Sequence, residues 1–307
     1  MKKINGIIYG LLSGIAFGIT PVFAKTAYNN GLNATTVLIF RYLLAAFILF
    51  FYCIFKRLNL KINKKQLILF LLVGMVGYTL STETLFIAYN KIGAGLATAL
   101  HFVYPAVVCV LSFFIYKEAM NKSKIIALIV SCIGVYMLVG LSLSEINIPG
   151  VILALFSGIV YSVSILGMNK KELKEMNNMV VTFYISLFAG IAILAFGVVS
   201  KGIIIVPNME VILSLLGLSV ISTILPLLFI VKAVKYVGPS TTSILATFEP
   251  IVSMVVGVFM FKEKITLSII IGTILILISV VILAKEENSE DIIENKDMEE
   301  IEDSMKV

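Results

Sequence analysis

HFVYPAVVCVLSFFIYKE (residues 101–118) returns 145 residues later as ATFEPIVSMVVGVFMFKE (246–263), so that Pro105 falls on Pro250 and Lys117-Glu118 on Lys262-Glu263. The same shift places Gly93 on Gly238 and Leu100 on Leu245 without a gap. Near the start of the chain a shift of 144 does the same work. GLLSGIAF (10–17) falls on ALFSGIVY (154–161), and Asn33, Val37, Leu43 and Ala45 fall on Asn177, Val181, Leu187 and Ala189. Matches of Leu, Ile and Val come cheaply in an apolar chain, whereas Ser-Gly, Pro and Lys-Glu held in constant register do not. The chain therefore reads as two copies of one unit, residues 1–141 and 148–284, followed by a tail at 285–307.

Composition says what solvent those copies need. Of 307 residues, 60% are hydrophobic and 14% charged, and the mean hydropathy is +1.06, outside the range of a water-soluble domain. A membrane span takes about 20 mostly apolar residues. Charge-poor stretches of that kind run from Ile4 to Tyr28, Ala34 to Phe55, Gln66 to Asn90, Gly93 to Tyr116, Lys124 to Leu141, Ile148 to Gly167, Met179 to Ser200, Val211 to Tyr236, Pro239 to Phe261 and Thr266 to Ala284. The predicted fold is an all-α membrane protein of ten transmembrane helices, five in each copy. Five is odd, so the second copy enters the bilayer in the opposite sense to the first, an inverted-topology repeat.

The net charge of +6 divides unevenly: residues before Lys285 hold 21 basic and eight acidic groups, the tail three basic and ten acidic. Because the Lys of the body sit in short loops between spans, their excess is a topology signal and not a nucleic-acid surface. With the N-terminus inside, roughly 15 Lys and Arg fall on inner loops and span ends and roughly five outside, which predicts a multi-pass protein of the cell membrane with both termini cytoplasmic. Charge and polarity predict a solvated, disordered tail.

HFVYPAVVCVLSFFIYKEAMNKSK (101–124) and TFEPIVSMVVGVFMFKEKITLS (247–268), with IFRYLLAAFI (39–48) and AYNKIGAGLATAL (88–100), resemble the drug/metabolite transporter superfamily, in particular its EamA-domain permeases. The resemblance covers nearly the whole chain to Lys285. It implies a central cavity lined by spans one, three, four, six, eight and nine. It also implies a small-molecule substrate from a range that includes amino acids, nucleotide derivatives and quaternary amines.

Charged groups inside the bilayer cost about 2.5 to 3.5 kcal/mol at a helix centre and need a partner, water or a function. Arg41, Glu83 and His101 lie roughly 10 to 12 Å below the outer surface at 1.5 Å per residue, and Glu249 about 15 Å deep. Their repeat counterparts are Ile185, Leu228, Ala246 and Tyr104, so none is duplicated in type. Architecture copied by symmetry should use the same residue twice, and unduplicated polar groups lean toward function. Glu83, His101, Glu249, Arg41, Tyr104 and Thr20 are accordingly the candidate substrate path, with an Arg41–Glu83 ion pair as the structural alternative. Pro21, Pro105, Pro226 and Pro250 fall inside spans, where each removes a backbone hydrogen bond and permits a hinge or kink. Ser123 and Thr266 are placed to cap the helices after Lys117-Glu118 and Lys262-Glu263. Gly6, Gly10, Gly14 and Gly18 recur every four residues, a spacing that admits another backbone, by internal packing before dimerisation.

Other classes find less support. Every Asp (Asp291, Asp297, Asp303) is in the tail, which excludes an aspartyl dyad in the bilayer, and there is one His and no HExxH or phosphate-binding loop. Ser13-Gly14 faintly suggests a nucleophile, but its copy at Ser157-Gly158 marks it as repeat architecture. Cys53, Cys109 and Cys132 have no paired spacing. No catalytic residue, metal site or cofactor is expected. MVGYTL (75–80) only weakly echoes a carbonyl filter, leaving a channel or a structural scaffold as the rival to a secondary transporter of small polar or amphipathic metabolites. Expected partners are the substrate, the bilayer and, through the buried Glu and His, protons; the molecule is expected as a monomer or homodimer.

Overall fold

The computed structural model describes residues 2–92, 94–139, 147–200, 202–206, 208–261 and 266–304. Among the described residues there are helices and no strands. The first copy comprises α1 (Lys2–Gly18), α2 (Thr20–Asn29), α3 (Ala34–Phe55), α4 (Lys64–Phe70), a π-helical segment Leu71–Leu80, α5 (Ser81–Ile92), α6 (Ala94–His101), α7 (Tyr104–Tyr116) and α8 (Lys122–Val139). The second comprises α9 (Ile148–Met168), α10 (Lys171–Lys174), α11 (Asn178–Val199), α12 (Met209–Ser219), a π-helical segment Val220–Ile224, α13 (Leu225–Leu245), a 3₁₀ turn Ala246–Phe248, α14 (Glu249–Phe261) and α15 (Leu267–Ser304). Seven helical stretches of the described residues are long and apolar enough to cross a membrane. Large apolar side chains face outward, Phe47 at 60% exposure and Phe114 at 72%, as a lipid-facing surface requires and a water-facing one would not tolerate.

Local chemistry explains where these helices start. Asn33 and Asn177, a repeat pair, cap α3 and α11 by accepting from Thr36 N and Met179 N. Asn63 and Gln66 form a reciprocal capping box on α4. Asn121, rather than the expected Ser123, caps α8 by accepting from Lys124 N, because α8 begins two residues earlier than a Ser123 cap implies, at Lys122. Thr266 does accept from Ile269 N, at 3.3 Å. Within α13, Gly238 has φ 77°, a backbone that favours glycine, and Pro239 starts a new helical direction. Residues 285–304 continue α15. A helix already nucleated by an apolar span extends at one bond per residue, and this stretch has no Gly or Pro to stop it.

Contacts between loops sort the two faces. On one, Asn33 Nδ2 donates to Gly202 O at 2.6 Å, Asn208 Nδ2 to Asn30 Oδ1 at 2.8 Å, and Ile204 N to Thr36 Oγ1 at 2.9 Å. On the other, Gln66 Nε2 donates to Glu172 O, Tyr184 Oη to Leu60 O, Ser240 Oγ to Glu118 Oε2 and Asn121 Nδ2 to Glu286. Lys3, Glu118, Lys124 and Tyr236 line one cavity of about 240 Å³ on that second face, so α1 begins on the same face that Glu286 reaches.

Two seams join the copies, and they are reciprocal. Along α1, a Cβ on Gly6 would press on Val237, on Gly10 on Leu245, on Gly14 on Phe248 and Glu249, and on Gly18 on Val252. In α9 the positions 144 residues later are Gly150, Ala154, Gly158 and Ser162. Gly150 meets Ile92, Gly158 meets His101 O and Val103, and Ser162 Oγ donates to Tyr104 O at 3.4 Å. Ile92 and Val103 are the repeat counterparts of Val237 and Phe248, so each copy seats its first helix against the Pro-broken helix of the other. Hydroxyls repeat the pattern: Ser13 Oγ donates to Pro226 O at 2.9 Å, and Ser81 Oγ, 145 residues before Pro226, donates to Ser157 O at 2.9 Å. The internal reading of the glycine stripe is the one this packing takes.

Candidate functional site

The seams meet where the Pro-bearing helices are interrupted. Pro105 has no N–H to offer the His101 carbonyl four residues back. There α6 ends at His101, Phe102 and Val103 form a turn, and α7 begins at Tyr104. In the second copy α13 ends at Leu245, a 3₁₀ turn intervenes, and α14 begins at Glu249, one residue before Pro250. Pro21 likewise stands at the second position of α2, after a break at Ile19, and Pro226 at the second position of α13, after the π-helical segment. Each of the four prolines therefore occupies the first turn of a helix, where its missing donor costs least.

The π-helical segments align as well, since Val220–Ile224 falls within Leu71–Leu80 under the 145-residue shift. Each carries a threonine that donates to the carbonyl five residues back, Thr79 to Gly74 O at 3.2 Å and Thr223 to Leu218 O at 2.8 Å. Such widened turns recur at functional sites and re-aim the residues that follow.

Arg41 reaches from α3 into the second of these segments. Its Nε donates to Thr223 Oγ1 at 2.6 Å and its Nη2 to Ser222 O at 2.5 Å, and the guanidinium lies 5.5 Å from the Tyr42 ring centroid. The freed carbonyl of a π turn is thus an acceptor for a charged donor, a strong pairing in an apolar surrounding. Glu249 opens α14 half-buried, within electrostatic reach of Arg41, Tyr104 and Tyr161 but without an ion pair to any of them. Opposite lies an aromatic wall: Tyr104 and Tyr161 centroids are 4.9 Å apart, Tyr78 and Tyr161 5.5 Å, His101 and Tyr161 5.5 Å, and His101 and Tyr104 5.6 Å.

His101 Nδ1 has a defined partner. Ser157 Oγ lies 2.6 Å from Ala154 O, a separation that requires the serine hydrogen between them. His101 Nδ1, 2.8 Å from the same Oγ, must then carry its own hydrogen and donate, which leaves Nε2 as an acceptor in the neutral ring. This assignment follows from the heavy-atom geometry.

Four of the six expected path residues, Arg41, His101, Tyr104 and Glu249, are thus brought into one layer. Glu83, in the first turn of α5, makes no side-chain hydrogen bond or ion pair among the described residues and does not pair with Arg41, whose Nε and Nη2 donate to Thr223 and Ser222. Thr20 begins α2, half-buried and outside the layer's hydrogen bonds. Sequence reasoning missed Tyr42, Tyr78, Tyr161, Ser157 and Thr223. Tyr161 was within sight, because it closes the ALFSGIVY octet where the first copy has Phe17. Among the described residues no three His, Cys, Asp or Glu side chains gather to hold a metal ion.

The chain matches the EamA-like transporter family twice, over residues 4–140 and 148–285. It belongs to that family. The two matches coincide with the two copies read from Pro105/Pro250 and Ser13/Ser157, so each copy is one unit of the family. This EamA-like transporter is 28% identical over 221 residues to an uncharacterised transporter of Archaeoglobus fulgidus, covering 70% of this chain and 76% of that one. It is 23% identical over 277 residues to the uncharacterised transporter YcbK of Bacillus subtilis, covering 87% and 88%. A solved crystal structure superposes with a TM-score of 0.79 at 12% identity, over 92% of this transporter and 98% of its own chain, a likeness of fold alone. Family and relatives place the protein among membrane transporters rather than enzymes.

Proposed function

We propose that this EamA-like transporter is a secondary transporter that moves small polar or amphipathic metabolites, amino acids and related compounds among them, by alternating access. The observation that carries the reading is the layer of Arg41, Glu249, Tyr104 and His101 at the meeting of two reciprocal seams. Inverted repeats bind solute near the midplane at the repeat interface, and rocking one copy against the other opens such a layer to either side. Glu249 and Arg41 supply charge there, the tyrosines supply an amphipathic wall, and His101 Nε2 supplies an acceptor. In this reading the chain has ten spans, with α6–α7, α8 and the two halves of Met209–Met260 each crossing once, and both termini lie in the cytoplasm of a cell-membrane protein. The pairing of same-face loops supports that parity. Glu83 and Thr20 belong to the path outside the central layer, and protons are the candidate coupling ion because Glu249 is a half-buried carboxyl group without an ion pair.

Purified protein in proteoliposomes tests this reading. Saturable flux of a small metabolite is expected, and Glu249→Gln should lower it at least roughly tenfold, the effect of removing one charged contact worth about 1.4 kcal/mol, while the protein stays monodisperse. Flux that rises linearly with gradient would favour a channel, and no flux for any metabolite would favour a scaffold. Reporter fusions at Lys285 and within residues 29–33 should report opposite sides; the same side would break the ten-span count.

A further inference from the structure

Lys232 is a charged group in a spanning helix that the layer does not use. On α13 the buried positions from Pro226 to Tyr236 are Pro226, Leu227, Leu228, Ile230, Val231, Ala233 and Val234, whereas Phe229, Lys232 and Tyr236 form a partly exposed stripe at helical spacing, with Tyr236 at 42% exposure. That stripe faces away from the bundle interior. The Lys232 ammonium lies 4.6 Å from the centroid of Tyr9 on α1, and the Tyr9 ring stacks within 5.9 Å of Phe229 and 6.0 Å of Tyr236. Asn5 and Ile8, the α1 residues flanking Tyr9, are exposed. Among the described residues Lys232 has no carboxylate partner, and its counterpart in the first copy is Ile87. It stands one turn inside Tyr236, on the face to which Lys3 and Glu118 belong.

A lysine in that place is not explained by packing. A cation facing lipid is costly unless it reaches the interface or meets an opposite charge, and the ring beneath it returns only part of that cost. Snorkelling brings its ammonium to the depth of lipid headgroups. What the headgroup layer offers there is phosphate, and basic crevices between spanning helices on that side are suited to hold it. We propose that the crevice between α1 and α13, formed by Asn5, Tyr9, Phe229, Lys232 and Tyr236, is a binding site for an anionic phospholipid. Lys232 holds the phosphate, the Asn5 amide and Tyr236 hydroxyl lie at headgroup level, and the rings of Tyr9 and Phe229 receive the start of an acyl chain. The site sits on the back of the same α1 whose glycines seat Leu245 and Glu249, so a bound lipid bridges the seam between the copies from outside.

The test uses full-length protein in neutral detergent, with phosphatidylglycerol or phosphatidylcholine added at equal amounts. Phosphatidylglycerol is expected to raise the Tm more than phosphatidylcholine for the parent and for Lys232→Arg, and the difference should vanish in Lys232→Gln. Native mass spectrometry should find roughly fivefold less retained phosphatidylglycerol on Lys232→Gln, the fold-change that one lysine makes at an anionic surface. Equal stabilisation of the parent by both lipids would overturn the proposal, as would a Lys232→Gln protein that keeps the whole difference. Glycerol phosphate reproducing the Tm gain would overturn it in favour of a soluble phosphate site. Should Lys232→Gln not fold, the parent's lipid preference and its loss in Tyr9→Leu decide the matter.

Discussion

The Pro105 and Pro250 regions have the same backbone and opposite chemistry. Both interrupt a helix within four residues before an in-register proline, and both receive a glycine from the first helix of the other copy. Yet the first presents His101, Phe102 and Tyr104 and faces Tyr78 and Tyr161, while the second presents Ala246, Phe248 and Glu249 and faces Arg41 and Thr223. One half is an aromatic wall and the other holds the charge. Movement needs two equivalent halves that can exchange conformations; recognition of an asymmetric solute needs two different ones. In the proposed transport cycle the duplicated residues would serve the first requirement and the unduplicated residues the second.

The sharpest way to break that comparison is at the seats. A side chain on Gly158 overlaps the His101 carbonyl, a backbone atom that cannot move aside, whereas Gly14 has its nearest neighbour, Glu249 N, at 3.2 Å. Gly158→Leu should therefore abolish monodisperse protein, overpacking a seam at about 1 to 3 kcal/mol or more. Gly14→Ala should be nearly silent, since the helix gains about 1 kcal/mol of propensity against a mild contact. Size-exclusion profiles and Tm values of the two variants measure the asymmetry, and equal losses would mean that the seams are energetically alike.

Next in size are the charge-bearing residues. Tyr104→Phe should retain more than half of the flux that Glu249→Gln loses, because the wall depends on ring surface while Glu249 depends on charge. Similar losses would mean that both positions act by hydrogen bonding. Arg41→Lys keeps the charge but gives up the fork that serves Thr223 Oγ1 and Ser222 O together. It should lower stability by about 1.5 to 3 kcal/mol, the worth of a charged hydrogen bond, read as a fall in Tm. An unchanged Tm would show that the π-helical segment holds itself without Arg41. Smallest of all, truncation after Glu287 should leave flux unchanged, because the acidic stretch lies beyond both repeats; a lost flux with normal membrane insertion would make the tail regulatory.

Much of the scaffold was legible in the sequence because it was written twice. Ser13-Gly14 against Ser157-Gly158, Asn33 against Asn177 and Pro105 against Pro250 each turned out to mark a seat, a cap or a break. The layer was harder to read. Depth along a helix placed Arg41, Glu83 and His101 at one level, but depth carries no direction around the axis, and Glu83 stays apart from Arg41. The Ser222 and Thr223 partners of Arg41 lie more than 180 residues away, and nothing local announces that Val220–Ile224 winds as a π-helix.

Reciprocal seats also mean that neither copy completes itself. A lone first copy would leave the α1 glycine groove and the back of the α6–α7 break without their complements, and a lone second copy would do the same at α9 and α14. Thermodynamically the molecule is a tethered dimer. The short connection between residues 139 and 147 replaces a bimolecular encounter by an effective concentration in the millimolar range, set by linker length. It keeps two otherwise incomplete partners within reach of each other.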